Sequence, residues 1–306
     1  MIDKLKKYCG VIPAFYACYD ENNEVSTERT RALARHLVNK GVKGLYVGGS
    51  SGECIYLEKE ERMKILEAVM AEVKGECTVI AHVACNNTNE SCQLAAHAEN
   101  LGVDAIASIP PIYFHLPDDA IAAYWNAMSD AAPNTDFVIY NIPQLAGVAL
   151  SLSLFRKMRE NPHVIGVKNS SMPTQDIQMF KHEGGEDSIV FNGPDEQFVA
   201  GRAIGADGGI GGTYAVMPEL FLKMNELIEQ GKIKEAQPIQ HTVNDIIAAM
   251  CGCKANLYAT MKKILEIREG VLCGSVRAPL MPLCDDDMPK VQACANMISQ
   301  AIRKFC

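Results

Sequence analysis

Short apolar segments alternate with amphipathic segments along most of the chain, as far as about residue 230. Most of the apolar segments are hydrophobic at consecutive positions, as expected of strands that are covered on both faces. The last segment is rich in glycine and would not be identified as a strand by itself. The eight predicted strands span residues 11–15, 44–47, 78–83, 104–109, 136–141, 164–168, 188–192 and 208–212.

The segments between these strands have helical periodicity, most clearly over residues 27–39, 58–74, 89–101 and 118–131. Ser26 is a candidate N-cap of the first helix, because its hydroxyl can accept a hydrogen bond from a free backbone N–H. Gly41, Gly75 and Gly102 follow three of the helices, where a left-handed residue commonly ends a helix. Strand–helix alternation repeated eight times predicts the α/β class and a (β/α)8 TIM barrel.

Strand signals stop at about residue 233, and the last part of the chain is predicted to be helical. The periodicity indicates three helices, over residues 233–250, 255–269 and 288–304. No low-complexity linker separates them from the barrel. We therefore expect a catalytic barrel domain over residues 1–230, with a small C-terminal helical segment over residues 231–306 packed on it.

Composition restricts the class of partner and the compartment. The net charge of −8 argues against binding to nucleic acid or an anionic membrane surface, although local donors can still hold a small anion. No apolar run is long enough to span a membrane, and the lysine-rich start has no signal-peptide core. The twelve cysteines are therefore interpreted as reduced thiols of a cytoplasmic protein, many of them small core residues.

Lys168 is the most informative ionisable residue, because it ends an apolar strand. It is either a strand-end lysine that reaches solvent or a buried amine. Burying an unpaired ammonium is unfavourable, and the neutral amine that results attacks carbonyl carbons to form a Schiff base. Gly166, on the same face of the strand, leaves room beside it. The active sites of such barrels lie at the carboxyl ends of the strands, which favours the second interpretation.

Two further strand ends carry candidate chemistry. Tyr140 ends the fifth strand, just before Asn-Ile-Pro, and is either a proton shuttle or an aromatic core residue. Residues 48–53, Gly-Gly-Ser-Ser-Gly-Glu, follow the second strand and can bind a carboxylate or a phosphate through converging N–H groups and hydroxyls. They are not a Walker A loop, because no lysine follows, and an ordinary glycine turn is the alternative. Glu53 is expected to be structural.

The remaining polar candidates are weaker. Asp195 and Glu196 follow the seventh strand and could bind a polyol, but their position alone favours an N-cap and a first-turn acid. Cys251 and Cys253 lack zinc-finger spacing, and His82 in the third strand is expected to be a hydrogen-bonded core residue. No metal site is expected, and only His82 leaves a metal-dependent aldolase as an alternative.

Taken together, these motifs resemble the N-acetylneuraminate lyase and dihydrodipicolinate synthase family of class I pyruvate aldolases. The resemblance extends from about residue 10 to residue 214. Its landmarks are the stretches at 48–53 (Gly-Gly-Ser-Ser-Gly-Glu), 140–143 (Tyr-Asn-Ile-Pro), 166–168 (Gly-Val-Lys) and 205–211 (Gly-Ala-Asp-Gly-Gly-Ile-Gly).

The resemblance implies a role for each of the strand-end residues. The lysine matching Lys168 forms an imine with pyruvate, and the tyrosine matching Tyr140 shuttles protons. The hydroxyls matching Ser50 and Ser51 bind the keto-acid carboxylate and relay protons, with Gly49 in the same loop. No organic cofactor is used by the family.

The substrate branch is indicated by the residues around the sugar tail. Dihydrodipicolinate synthases have an arginine where this chain has Leu145, which cannot pair with a carboxylate. The lyase pattern implies cleavage of N-acetylneuraminate, a sialic acid, to N-acetylmannosamine and pyruvate. In lyases, residues matching Gly193, Asp195 and Glu196 hold the hydroxyl tail of the sugar.

Two positions depart from the lyase pattern. Gly212 stands where lyases often carry a sugar-contacting serine, and Ser170 replaces a threonine but keeps a hydroxyl. One alternative is another pyruvate aldolase or dehydratase of the family, either dihydrodipicolinate synthase-like or acting on a 2-keto-3-deoxy sugar acid. The other is a non-catalytic sensor of keto acids. Family members are commonly homotetramers in which a tyrosine matching Tyr113 reaches into a neighbour's site.

Overall fold

The computed structural model describes residues 3–306. Met1 and Ile2, which begin the segment considered above for a signal peptide, lie outside the described residues. The described chain forms eight strands and twelve α-helices.

The eight strands form one parallel sheet in the order β1-β8-β7-β6-β5-β4-β3-β2, in which the first strand pairs with the last. Two hydrogen bonds of 2.9 Å, from Phe15 N to Tyr46 O and from Lys43 N to Val11 O, join β1 to the β2 region and close the barrel. The predicted α/β barrel is confirmed. The strands are β1 Gly10–Pro13, β2 Gly44–Val47, β3 Thr78–His82, β4 Ala105–Ser108, β5 Asp136–Asn141, β6 Val164–Asn169, β7 Ile189–Asn192 and β8 Gly208–Gly211.

The seven helices whose bounds the periodicity predicts are present, and their ends differ from the predicted ends by at most two residues. Ser26 accepts a hydrogen bond from Arg29 N, and Gly102 ends α3 with φ of 80°, so both predicted caps are confirmed. The helices are α1 Thr27–Asn39, α2 Lys59–Val73, α3 Thr88–Leu101, α4 Asp118–Asp130, α5 Pro143–Ala146, α6 Leu152–Arg159, α7 Thr174–Gly184, α8 Phe198–Ala203, α9 Pro218–Glu229, α10 Ile233–Cys251, α11 Leu257–Glu269 and α12 Met288–Phe305.

Two apolar layers explain why the strands are hydrophobic at consecutive positions. One layer fills the inside of the barrel with inward-facing side chains such as Ile12, Ile80 and Phe191. The other lies between the strands and the surrounding helices and contains Val11, Val79 and Val190. Since alternate side chains of a strand point to opposite faces, each strand supplies both layers.

The helices after α9 pack on one side of the barrel. α10 contacts α8 and α9, and α12 contacts α9, α10 and α11. The division of the chain into a barrel over residues 1–230 and a segment over residues 231–306 stays a prediction. Within residues 3–306, no helix combines the length and the apolar character that a membrane crossing requires.

Candidate active site

A cavity of about 370 Å³ opens at the carboxyl ends of the strands. It contains nine of the eleven residues that the sequence predicts for the site. Only Gly49 and Tyr113 of the predicted set do not line it. The nine residues are Ser50, Ser51, Tyr140, Lys168, Ser170, Gly193, Asp195, Glu196 and Gly212.

Lys168 is a buried amine, with 4% of its surface exposed. Its Nζ lies over two aromatic rings, 3.8 Å from the ring centroid of Tyr140 and 4.2 Å from that of Tyr46. In the described part of the chain, no carboxylate forms a salt bridge with this nitrogen. Of the two interpretations of the sequence, the buried amine is the correct one.

The register of two strands brings the amine and the phenol together. Tyr140 of β5 is paired with Lys168 of β6, so both side chains point into the barrel from neighbouring strands. The ladder shifts between Phe137 and Val138. Opposite the shift, Gly166 has φ of 154°, and a Cβ there would lie 1.8 Å from Ile189 O. Glycine is therefore required at this position.

The loop after β2 presents both predicted hydroxyl residues to the cavity. Gly48 has φ of 76°, and a short helical turn, Ser50–Gly52, follows. The first N–H groups of such a turn have no intrahelical acceptor and can bind an anion. At Gly49, a Cβ would lie 2.6 Å from the ring of Tyr46, so glycine allows the loop to pack closely against that ring.

Glu53 ends this loop and ties it to the C-terminal helices. It has left-handed backbone angles (φ 55°, ψ 30°), and its carboxylate forms a buried ion pair with Lys262 of α11, with an N–O distance of 2.6 Å. The same carboxylate accepts hydrogen bonds from Arg277 N and from the Tyr19 hydroxyl. The expectation that Glu53 is structural agrees with these contacts.

Asp195 is buried at the cavity wall and does not have the role that its position suggests. The N-cap of its short helical turn is Pro194, so the expectation of an Asp195 N-cap is wrong. Its Oδ2 instead accepts hydrogen bonds of 2.7 Å from both the backbone N and the Oγ1 of Thr213. Burial outweighs these bonds and raises the pKa of Asp195 to about 6. The neighbouring Glu196 is exposed.

Two glycines shape the part of the cavity next to Asp195. A Cβ on Gly193 would lie 1.9 Å from Ser170 Oγ, so only glycine lets these loops meet. A Cβ on Gly212 would approach one atom only, Ser51 Oγ at 3.0 Å. The space in front of Gly212 is therefore open to a ligand, whereas the space at Gly193 is closed.

Several cavity residues were missed in the sequence analysis. Tyr46 contacts the amine from beneath the cavity, and the sequence places it only in a strand and a lyase-like stretch, with no role of its own. Leu257, Tyr258 and Met261 line the cavity from α11, in the segment that the sequence suggests is an appendage. Their signal is an ordinary helical periodicity, and nothing in it indicates which face meets a cavity.

Tyr113 lies outside this cavity, on the surface. It is 86% exposed, has φ of 85°, and stacks edge-on against Phe114, which is 69% exposed. Large apolar side chains that are exposed together commonly mark an interaction surface. The structure thus leaves Tyr113 available for contact with another molecule.

His82 is a buried core histidine, as expected, and contacts the site from below. Its Nδ1 lies 2.9 Å from Gly48 O, and its ring packs edge-on against Tyr140. Burial, with Arg62 nearby, lowers the pKa of His82 well below its usual value. Within residues 3–306, no three histidine, cysteine or acidic side chains come together as metal ligands would.

Comparison with known proteins gives consistent results. The sequence profile of the dihydrodipicolinate synthetase family matches residues 7–298. An N-acetylneuraminate lyase of Mediterraneibacter gnavus is 63% identical over 98% of this chain and 96% of its own length, and one of Escherichia coli is 33% identical over 95% and 97%. A solved structure of a catalytic lysine mutant of the Ruminococcus gnavus sialic acid aldolase has a TM-score of 0.98 at 62% identity and covers 99% of both chains.

Proposed function

The chain belongs to the dihydrodipicolinate synthetase family, and on that premise we propose that it is a lyase that cleaves N-acetylneuraminate reversibly to N-acetylmannosamine and pyruvate. The observation that carries this proposal is the buried amine of Lys168, packed against the phenol ring of Tyr140 in an open cavity. An amine in that setting is suited to covalent catalysis on a ketone. Leu145 supports the lyase branch, because it lines the cavity and offers no charge for a second carboxylate.

In the proposed reaction, open-chain sialic acid places its carboxylate at the turn formed by Ser50 and Ser51. Lys168 Nζ attacks the C2 ketone, water leaves, and a protonated imine forms. The imine nitrogen is then an electron acceptor conjugated with the bond that must break. Fixing the carboxylate and the ketone carbon together also fixes the orientation of C3 and C4.

Tyr140 takes the proton of the C4 hydroxyl in the next step. The C3–C4 bond breaks, its electron pair moves through C3 to the imine, and the aldehyde N-acetylmannosamine leaves. The pyruvate enamine that remains is protonated at C3, and water hydrolyses the imine to release pyruvate and free Lys168. The proton that Tyr140 removes can be returned at C3, so the reaction needs no external oxidant or reductant.

The sugar tail is proposed to lie along Gly193, Asp195 and Glu196. Two hydrogen bonds from Thr213 hold the buried Asp195 carboxylate in place, so it can accept hydrogen bonds from sugar hydroxyls in a fixed direction. Ser170 borders Gly193 on the same wall. The open space at Gly212 gives the tail more room than a serine would leave there.

The proposal is tested by measuring pyruvate release, with lactate dehydrogenase as the coupling enzyme. We expect turnover of N-acetylneuraminate with kcat of about 1–10³ s⁻¹, the ordinary range for enzymes. N-glycolylneuraminate, a 2-keto-3-deoxy sugar acid, and pyruvate with aspartate semialdehyde are the comparison substrates.

Turnover of a 2-keto-3-deoxy sugar acid with none of either sialic acid would overturn the substrate assignment and favour the related aldolases. Pyruvate binding with no turnover of any substrate would instead indicate a sensor. Borohydride treatment gives the matched control: activity should be lost when pyruvate is present and kept when it is absent.

We propose further that the protein is a homotetramer. Support comes from the exposed pair Tyr113 and Phe114, next to a groove lined by Ile112, Leu116 and Tyr124. Light scattering on the purified protein should give four times the 33.4 kDa chain mass, and Tyr113→Asp should lower that mass. A wild-type mass of one chain would exclude the tetramer.

Residence in the cytoplasm also remains a proposal. Its support is that the twelve cysteines form no disulfide within the described chain, which fits a compartment that keeps thiols reduced. Fractionation of the source cells tests it, and recovery outside the cytoplasmic fraction would contradict it.

A further inference from the structure

Three asparagines follow the inward-facing residues of three neighbouring strands. Asn141 comes after Tyr140, Asn169 after Lys168, and Asn192 after Phe191. The strand register places the three asparagines side by side, and all three are buried. Because alternate side chains of a strand point to opposite faces, the asparagines point away from the cavity, into the layer between strands and helices.

Two of the three asparagines are joined directly. Asn141 Nδ2 donates to Asn169 Oδ1 at 2.7 Å, and Asn141 Oδ1 accepts from Leu150 N at 3.0 Å. Asn169 Nδ2 donates to Ser171 Oγ at 2.9 Å, and that hydroxyl donates to Asp176 at the start of α7. The amide nitrogen and the amide oxygen of both asparagines each have a hydrogen-bond partner, so these contacts constrain the two strand ends.

The asparagine pair lies where the alignment of the strands matters most. The β5–β6 ladder shifts register at Phe137 and Val138, so the pairing beyond that point is not set by a uniform ladder. A slip by one residue would turn a side chain to the other face of the sheet. The asparagine contact is one position beyond the pair formed by Tyr140 and Lys168.

We propose that Asn141 and Asn169 are positioning residues, whose side-chain hydrogen bond holds the phenol of Tyr140 in line with the amine of Lys168. They touch no substrate and act only through the residues that precede them. The inference rests on the proposed function, because it assigns the pair to the alignment of that reaction's proton shuttle and nucleophile.

The test is a double-mutant cycle with Asn141→Ala, Asn169→Ala and the combined variant, measured on the full-length protein. Each single variant should lower kcat for sialic acid cleavage by about 10- to 100-fold, since misplacement of catalytic groups by about 1 Å costs that much. KM should change by less than about threefold, because neither substitution removes a contact of the Ser50–Ser51 turn or of Asp195, which are proposed to bind the substrate. The kcat of the combined variant should be no lower than that of the less active single variant, because both substitutions remove the same hydrogen bond.

Asn192→Ala is the matched control. It has the same burial and lies in the same row, but its Nδ2 donates to Pro194 O and not to the other two asparagines. It should leave unchanged the rate at which borohydride traps pyruvate on the enzyme, whereas Asn141→Ala and Asn169→Ala should slow that trapping. If an alanine variant does not fold, the leucine variant of the same residue is measured in its place.

Two results would overturn the inference. One is a kcat within about twofold of wild type while the unfolding temperature falls, which is the behaviour of a purely structural pair. The other is a combined variant whose loss equals the product of the single losses, which is the behaviour of independent sites. Failure of the proposed function is recognised separately, because the wild-type protein would then show no pyruvate adduct on Lys168.

Discussion

Replacing Lys168 with alanine is expected to lower kcat for sialic acid cleavage by about 10⁴-fold or more, the scale on which enzymes lose activity without their covalent nucleophile. The physical reason is that C3–C4 cleavage leaves an electron pair on carbon, and a protonated imine accepts it far better than a ketone does. No other lysine lines the cavity within the described chain, so none can take over the reaction. Pyruvate release in the coupled assay gives the rate.

Lys168→Arg tests the covalent role in a variant that keeps a long side chain ending in nitrogen. Arginine places a permanent cation next to the rings of Tyr46 and Tyr140 but forms no imine with a ketone. Both variants should therefore lack the borohydride-stable pyruvate adduct that peptide mass spectrometry finds on wild-type Lys168. Near-normal activity in Lys168→Arg, or an adduct on a different lysine, would refute the assignment.

Replacing Lys262 with methionine is expected to lower the free energy of unfolding by about 3–5 kcal/mol, as removal of one partner of a buried ion pair does. The two charged side chains have 1% and 0% of their surface exposed, so water cannot solvate the Glu53 carboxylate after the change. Urea titration of the variant and the wild-type protein measures the difference.

The double variant Glu53→Gln with Lys262→Met is the control for this interpretation. Glutamine removes the uncompensated charge but keeps an oxygen that can accept hydrogen bonds from Arg277 N and Tyr19. Most of the lost stability should return, because the penalty comes from a lone buried charge and not from missing volume. Equal instability of the single and double variants would show that packing, and not charge, dominates.

The barrel could be predicted from sequence because each strand is covered on both faces. Residues 44–47 and 136–141 are apolar or small at nearly every position, and they fold as β2 and β5 with those bounds. β8 was less clear, because Gly208–Gly211 consists mostly of glycine. A Cβ on Gly209 would lie 2.5 Å from the Tyr214 hydroxyl, so the glycines reflect close packing and not weak strand character.

The shared location of the amine, the phenol and the hydroxyl turn could be expected because each follows or ends a strand, where a barrel gathers its functional groups. Their roles came from the resemblance to the family and stay a prediction. Contacts made across long stretches of sequence could not be predicted. Tyr258 reaches the cavity from α11, and Asn141 meets Asn169 across 28 residues. Local periodicity does not indicate which distant residues come into contact, since it depends only on which face of an element is apolar.

Asp195 illustrates the limit of positional reasoning. Its position at the start of a helical turn favours a cap, and only the resemblance to the lyases gave a reason to expect a ligand there instead. The actual partner, Thr213, comes from the next strand's loop, 18 residues away. The pairing of β7 with β8 brings the loops after these two strands together and so makes that contact possible.

Closure of the barrel through β1 and β8 also affects when the protein can finish folding during its synthesis. The partners Gly10 and Gly208 are separated by roughly 200 residues, which a ribosome adds in on the order of 10–40 s at about 5–20 residues per second. During that interval the first strand has one neighbour too few, and α11 has not yet been synthesised. A nascent chain that already carries Lys168 and Tyr140 therefore lacks the part of the cavity wall that α11 supplies until its last quarter is synthesised.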